Sequence, residues 1–260
     1  MEIDLNNEPR QKVRLVVSYD GGPFSGFARN AGVRTVAGDL EAHLSRVLRH
    51  PVVVTGAGRT DKGVHAWGQV VSFETFADRL EPERLMRSLN HMGAPSLAVR
   101  SVDAVDADFD ARFSARWRRY RYTILTSEAP NPFLAGTSWH LPQPLDLDAM
   151  RVAGETFLGT HDFSSFCRRP QQVEGRPPAS LVRTVTGLEW TEHEGDLLRL
   201  EITAQAFCHQ MVRSIVGTLV DIGRGHRAAT DVAAMLAARD RAAAGDLAPP
   251  QGLCLWEVGY

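Results

Sequence analysis

Cysteine is scarce in this 260-residue sequence, and its scarcity excludes two classes of protein. The three cysteines, Cys167, Cys208 and Cys254, are widely separated and odd in number. Their spacing fits neither a disulfide framework nor a Cys-x-x-Cys metal site. We therefore expect three buried cysteines that pack as small hydrophobic side chains.

Long apolar runs and an excess of one charge are also absent. No uninterrupted apolar stretch approaches the roughly 20 residues that span a bilayer. The first nine residues, Met1–Pro9, are acidic and lack the basic-then-apolar pattern of a signal peptide. These features predict a cytoplasmic protein with no membrane partner. Because the formal net charge is −2, a surface that binds nucleic acid must be a local basic patch.

What the sequence does contain is a regular order of secondary-structure elements. In the first part, periodicity and turn residues predict strand, helix, strand, strand, helix and strand. This order is typical of a ferredoxin-like unit. The six predicted elements cover residues 12–21, 35–48, 51–55, 70–74, 82–92 and 97–105, with Thr35 as a helix cap.

A second part of the chain repeats this order less regularly. Its predicted strands are 118–125, 181–191, 197–206 and 253–258, and its predicted helices are 146–157, 207–223 and 231–238. We divide the chain into residues 1–108 and 109–260. The predicted fold class is α+β, with two ferredoxin-like halves.

The glycine-rich segment 56–69, Gly-Ala-Gly-Arg-Thr-Asp-Lys-Gly-Val-His-Ala-Trp-Gly-Gln, links two predicted strands and carries Arg59, Asp61, Lys62 and His65. Glycine allows positive φ and close backbone approach, so such a loop can present polar side chains at the rim of a sheet. Four interpretations compete: a solvated hairpin, a phosphate cradle, a metal site on Asp61 and His65, and a nucleophilic or basic carboxylate at Asp61. Spacing alone does not choose among them.

A basic and aromatic segment lies at 113–122, Phe-Ser-Ala-Arg-Trp-Arg-Arg-Tyr-Arg-Tyr. As a strand it would place Tyr120 and Tyr122 on one face and Arg119 and Arg121 on the other. Guanidinium groups pair with phosphates and aromatic rings stack on unpaired bases, so the segment fits an RNA surface. An edge strand with solvated arginines and core tyrosines is the competing interpretation.

The predicted helix 207–223 is apolar nearly all round and carries Arg213. A buried guanidinium without a partner is costly, so Arg213 should pair with a carboxylate or reach an anion. Within the helix, the candidate partners are Asp221 and a terminal carbonyl.

Several of these segments together resemble the tRNA pseudouridine synthase A family. The matching strings are Gly58-Arg-Thr-Asp-Lys-Gly-Val-His65, Gly68-Gln-Val70, Arg119-Tyr-Arg-Tyr122, Met211-Val-Arg-Ser-Ile-Val-Gly217 and Gly252-Leu-Cys-Leu255. The resemblance implies that Asp61 is the catalytic nucleophile and that Tyr120 lies against a flipped uridine. It also implies that Arg213 faces the aspartate and that Leu253 lines the uracil pocket. Arg59, beside the nucleophile, would fill the space that the flipped base leaves or hold the flipped state.

The same resemblance implies a fold, a substrate and an assembly. The fold would be one continuous, mainly antiparallel sheet with a central cleft. The substrate would be uridines 38, 39 and 40 of the tRNA anticodon stem-loop, bound by a homodimer without metal or organic cofactor. Backbone-contacting arginines would come from the basic strand and from the loop 167–178, namely Arg116, Arg119, Arg121, Arg168 and Arg169.

Two alternatives and two departures accompany this interpretation. The alternatives are a noncatalytic tRNA-binding or chaperone protein of the same fold and a synthase for a different RNA. Gly26-Phe-Ala-Arg29 and Asn90-His-Met-Gly-Ala-Pro95 differ from the usual family strings. His161-Asp-Phe-Ser-Ser-Phe166 also resembles the family, and we expect it to pack Phe163 and Phe166 in the core.

Overall fold

The computed structural model describes residues 9–169, 172, 175 and 179–260. Within the loop 167–178, residues 170, 171, 173, 174 and 176–178 lie outside the described residues. Contacts divide the described chain into two compact units. The first runs to Ala115 and also contains Leu255–Tyr260, and the second is Arg116–Cys254. The sequence places its division between residues 108 and 109.

The first unit has the predicted ferredoxin-like order. Its strands form the order β4-β1-β3, with β10 next and β2 also paired to β3, and the β1, β2 and β4 pairings are antiparallel. The elements are β1 (Arg10–Tyr19), α1 (Val36–Leu48), β2 (Thr55–Gly56), β3 (His65–Phe76), α2 (Pro82–Gly93) and β4 (Leu97–Val105), together with the part of β10 (Leu253–Gly259) from Leu255 onward.

Both helices of the first unit begin where their start signals predict. The Thr35 hydroxyl accepts a hydrogen bond from the Gly38 amide, and Leu40, Leu44 and Leu48 form the buried stripe of α1. Pro82 occupies the first turn of α2, where its missing amide hydrogen costs nothing.

The predicted strand 51–55 is wrong over most of its length, because only Thr55 and Gly56 pair with β3. The amides of Val52 and Val54 donate instead to Ser45 Oγ (2.9 Å) and Glu41 Oε1 (3.1 Å) on α1. These side-chain acceptors replace the partners that a neighbouring strand would supply. Strand β3 begins at His65, so the predicted loop is shorter than its glycines indicate.

The second unit is built on four antiparallel strands in the order β5-β9-β8-β7, with β6 paired in parallel to β5. Its elements are β5 (Trp117–Leu125), β6 (Trp139–His140), α3 (Leu147–Glu155), β7 (Gly159–Asp162), β8 (Val182–His193), β9 (Leu197–Ala204), α4 (Met211–Gly223) and α5 (Asp231–Ala238). Both units mix helices with mostly antiparallel strands, which confirms the α+β class. The joint sheet and central cleft stay predictions.

Helix α4 starts four residues later than predicted. Its cap, Gln210, has φ +68°, so the chain turns sharply before Met211 and residues 207–210 are not helical. The motif 161–166 packs as expected, because Phe163 and Phe166 are fully buried and contact Phe157.

The expectation of three buried, unbridged cysteines is wrong. Cys167 and Cys208 form a disulfide with their Cα atoms 5.8 Å apart. The Arg168 amide donates to the His209 carbonyl at 2.9 Å, so the two segments already run side by side. Their separation of 41 residues conceals this proximity in the sequence. Cys254 is a half-buried free thiol.

No described helix combines the length and the apolar character needed to cross a bilayer.

Candidate active site

The segment that carries Asp61 is held to the sheet of the first unit by buried polar side chains. Gln69, fully buried on β3, donates from Nε2 to the Gly58 carbonyl at 2.7 Å and accepts from the Gly58 amide at 3.3 Å. The Tyr19 hydroxyl on β1 lies 2.8 Å from the Thr60 hydroxyl. Gly58 and Thr60, which precede Asp61 in the loop, are therefore anchored to two adjacent strands.

A second set of contacts comes from residues 21–27, which run beside the loop. The Phe27 amide donates to the Thr60 carbonyl at 3.0 Å. Gly26 has φ +100°, and a Cβ there would lie 2.9 Å from the Thr60 carbonyl oxygen. The Phe27 ring fills the space beside Gly56, where a Cβ would be 2.4 Å from it. The departure at Phe27 is thus part of the wall that supports the loop.

Asp61 itself lies half-buried at a turn. Its carbonyl accepts from the Val64 amide at 3.1 Å, and Gly63 adopts φ +79° to close the turn. Arg59 and Lys62 are exposed on either side of it. The structure therefore places Arg59 and Asp61 together on one short, supported loop, as the sequence predicts.

His65 has a structural role in this loop. It is buried, and its Nδ1 accepts a hydrogen bond from the Gly21 amide at 3.0 Å. Within residues 9–169, 172, 175 and 179–260, no three His, Cys, Asp or Glu side chains group as metal ligands. The geometry gives no support to a metal site on Asp61 and His65.

In the second unit, Tyr120 and Tyr122 share the buried face of β5. Tyr120 is 7% exposed and meets the Phe207 ring edge to face at 5.1 Å. Tyr122 is fully buried, and its hydroxyl donates to the Pro249 carbonyl at 2.8 Å. Burial raises the pKa of the Tyr122 hydroxyl far above its ordinary value, and the nearby Arg213 charge opposes this with a smaller effect. The Tyr122 hydroxyl therefore keeps its proton at neutral pH and acts as a hydrogen-bond donor.

Arg213 on α4 is held by the segment 246–249. Its Nε donates to the Ala248 carbonyl at 2.7 Å, and the Ala248 amide donates to the Arg213 carbonyl at 3.1 Å. Gly217 allows this approach, because a Cβ there would lie 1.8 Å from the Asp246 carbonyl oxygen. Asp221, the candidate carboxylate, lies instead 3.6 Å from Arg227. The carbonyl that accepts from Arg213 Nε thus belongs to Ala248, outside the helix, and not to the end of α4 as one prediction had it.

The sequence patterns give residues 248–252 no role in this cluster. Ala248 holds Arg213, Pro249 accepts from Tyr122, and Gly252 lies against the Tyr122 ring, where a Cβ would be 2.6 Å away. Leu253 follows directly and is buried. The glycine before Leu253 was the available signal, since close approach to a ring excludes a larger residue.

The basic arginines differ in their surroundings. Arg121 lies opposite Glu201 on β9 and forms an ion pair with it, whereas Arg119 lies over Trp117 at 5.3 Å and donates to Thr203 Oγ1 at 3.4 Å. Arg116 and Arg168 are exposed, and Arg169 donates to the Arg239 carbonyl at 3.0 Å. The arginine face of β5 is therefore partly neutralised by the sheet itself.

Comparison with known proteins assigns the chain to a family. A family model described as tRNA pseudouridine synthase matches residues 15–114 and 153–260. Relatives include the tRNA pseudouridine synthase A of Brevibacillus brevis, 42% identical over 250 residues (96% of this chain, 100% of the relative). That of Bacillus subtilis is 39% identical over 251 residues (96% and 99%). The chain belongs to the tRNA pseudouridine synthase family, and it is an isomerase.

Among solved structures, the chain is similar to one in the crystal structure of a Cbf5–Nop10–Gar1 complex. The match has 14% identity and a TM-score of 0.37 and covers 81% of this chain and 45% of the other. This similarity is too weak to support a conclusion about the site.

The Gln69 anchor generates a prediction about the rigidity of the loop. Gln69→Met keeps the side-chain shape but leaves both Gly58 backbone groups without their buried partner, which should lower the free energy of unfolding by about 1–3 kcal/mol. The loosened loop should also lower kcat by about tenfold or more. Urea denaturation and isomerase turnover measure the two effects. Gln11→Met, which removes a bond to the Val105 carbonyl near the other end of β1, is the matched control. An equal fall in kcat for both variants would contradict the proposed role of the anchor.

Proposed function

We propose that this protein converts uridine to pseudouridine at positions 38, 39 and 40 of the tRNA anticodon stem-loop. The observation that carries the proposal is Asp61, which lies on a family-specific loop anchored by Gln69, Tyr19 and Phe27. A solvated hairpin needs no such frame. A nucleophile needs one, because attack requires a fixed position and direction.

The reaction exchanges one glycosidic bond for another. The bond from N1 of the base to C1′ of the sugar breaks, the bond from C5 to C1′ forms, and the C5 proton leaves while N1 takes up a proton. A base within a stem must first leave the stack, which costs a few kcal/mol. Arg59, exposed beside Asp61, would hold the flipped state. Asp61 would then bond covalently to base C6 or sugar C1′.

Tyr120 and Arg213 support this reaction from the second unit. The Tyr120 ring, held by Phe207, would stack on the uracil and assist proton transfer at C5. Arg213 would favour the ionised form of Asp61, since an opposite charge stabilises a carboxylate. Leu253 would supply an apolar wall to the uracil pocket. The buried Tyr122 supports this cluster through the segment 248–253.

The direct test follows release of tritium from uridine C5 in an unmodified anticodon stem-loop transcript. Wild type should release tritium, and Asp61→Asn should release none, because an amide is not a nucleophile here, while RNA binding stays largely intact. Lys62→Gln, which removes the neighbouring exposed charge, is a control that should retain turnover. Turnover by Asp61→Asn would remove this residue from its proposed role.

The same assay separates the competing functions. A noncatalytic tRNA-binding or chaperone protein would bind the transcript and release no tritium from any uridine. A synthase for a different RNA would also fail on this transcript but would release tritium from another labelled RNA. The presence of Asp61, Tyr120 and Arg213 together favours catalysis, because binding a polyanion gains nothing from a carboxylate.

We propose that Arg116, Arg119, Arg121, Arg168 and Arg169 contact the RNA backbone. Arg119 is the sharpest test, since Glu201 already offsets the charge of Arg121. Arg119→Ala should weaken tRNA binding and reduce the slope of log K against log salt by about 1, the value for one lost phosphate contact. The control is Arg151→Ala, because Arg151 lies on α3 and its Nη1 is 3.1 Å from Asp148 Oδ1. An unchanged slope would assign Arg119 to the solvated face of the strand.

We further propose that the enzyme works in the cytoplasm as a homodimer that binds a single tRNA across both subunits. Light scattering after size-exclusion chromatography should give twice the mass of the chain, and addition of tRNA should give one RNA per two chains. A monomeric mass, or one RNA per chain at saturation, would contradict this assembly.

A further inference from the structure

Strand β3 carries a β-bulge immediately after the Asp61 loop. Val17 pairs with Gln69 and Tyr19 pairs with Ala66, so two residues, Trp67 and Gly68, lie opposite Ser18 alone. The Ser18 hydroxyl donates to the Trp67 carbonyl at 2.7 Å. A bulge re-aims the side chain of the extra residue and increases the local twist. Here it turns Trp67 outward beside the loop.

The other side of β1 carries a matching irregularity. Val16 pairs with Ser101 and Val17 pairs with Val99, which leaves Arg100 on β4 without an opposite residue. The two bulges thus flank the same short stretch of β1. They bring an exposed tryptophan and an exposed arginine to one surface of the first unit.

These two side chains and Trp256 form a continuous stack, which we call the tryptophan stack. The Arg100 guanidinium carbon lies 4.1 Å from the centre of the Trp67 ring, and its Nη1 donates to the Trp67 carbonyl at 3.0 Å. The Trp67 and Trp256 rings are 5.7 Å apart and within 16° of parallel. Gly68 permits this, since a Cβ there would be 2.4 Å from the Trp256 carbonyl oxygen.

The exposure and charge of the stack are unusual for a purely structural element. Trp67 remains 46% exposed although its neighbours on β3, Ala66 and Gly68, are buried. Among the residues that the structure describes, no carboxylate forms an ion pair with Arg100. An aromatic ring and a guanidinium plane that are already stacked offer flat surfaces to a nucleobase and a positive charge to its phosphate.

We propose that the tryptophan stack binds an unpaired nucleotide of the RNA substrate. The base stacks on the outer face of the Arg100 guanidinium, which Trp67 supports from the other side, and the Arg100 charge pairs with a phosphate. The inference rests on the proposed function, because it takes the RNA that Asp61 acts on as the ligand. The contact favours RNA that offers an unpaired nucleotide to the stack, and the chemical step proceeds without it.

The alternative is that the stack only secures β10 against β3 through Trp256. That role needs the rings to pack on each other, and it does not require RNA. Stability would then change on substitution and RNA affinity would not. The test therefore measures affinity for two RNAs in variants whose folding is checked by thermal unfolding.

Binding is measured in the Asp61→Asn background, which prevents turnover. The probes are an anticodon stem-loop transcript and a fully paired RNA duplex with the same number of phosphates. Trp67→Ala should weaken stem-loop binding by about fivefold or more, the lower end for one lost base stack, and leave duplex binding unchanged. Trp67→Phe should restore most of the affinity. Phe133→Ala, at a side chain that is 95% exposed, is the matched control and should bind as the parent does.

Two outcomes would overturn the proposal. If Trp67→Ala binds both RNAs as the parent does, the stack has only its structural role. If Trp67→Ala weakens binding of both RNAs equally, the stack does not recognise an unpaired base. If Trp67→Ala fails to fold, quenching of tryptophan fluorescence by the stem-loop is compared between the parent and Trp67→Phe. Equal quenching would also overturn it.

The outcome is separable from that of the proposed function. If wild type releases tritium and the Trp67→Ala variant binds RNA unchanged, the proposed role of the stack is refuted and the proposed reaction is not. Absence of tritium release, with stem-loop binding that depends on Trp67, refutes the reaction alone.

Discussion

The buried amide of Gln69 is the interaction on which the site of the first unit depends. It bonds to both backbone groups of Gly58, and a buried amide left without such partners would cost more than the loop gains elsewhere. The loop therefore cannot move without exposing or stranding these groups. Because Gln69 lies on β3, between pairings to β1, the position of Asp61 follows from the register of the sheet.

In the second unit, the fold must accommodate a cation on an apolar helix. Arg213 lies among side chains that would exclude water, and the chain returns at 246–249 to give it a carbonyl. Gly217 makes the approach possible, and the same segment satisfies the buried hydroxyl of Tyr122. The Ala248 carbonyl thus orients the guanidinium group through its Nε hydrogen bond.

Local rules predicted the elements that carry strong local signals. Thr35 and Pro82 mark the helix starts, and the alternation along β5 gives the faces of Tyr120 and Arg119 correctly. The same rules failed where a side chain from another element supplies the hydrogen bond. Val52 and Val54 resemble a strand in sequence, but their amides donate to Ser45 and Glu41, respectively.

What the sequence by itself determined was the family, through Gly58–Val70, Arg119–Tyr122 and Met211–Gly217, together with most helices and strands. These depend on residue identity and on periods of a few residues, which a sequence displays directly. Only the tertiary structure decided that Cys167 meets Cys208, that Ala248 holds Arg213, and that two bulges join Arg100 to Trp67. Each of these joins residues distant in sequence, and strand register and backbone hydrogen bonds between elements exist only once the chain has folded.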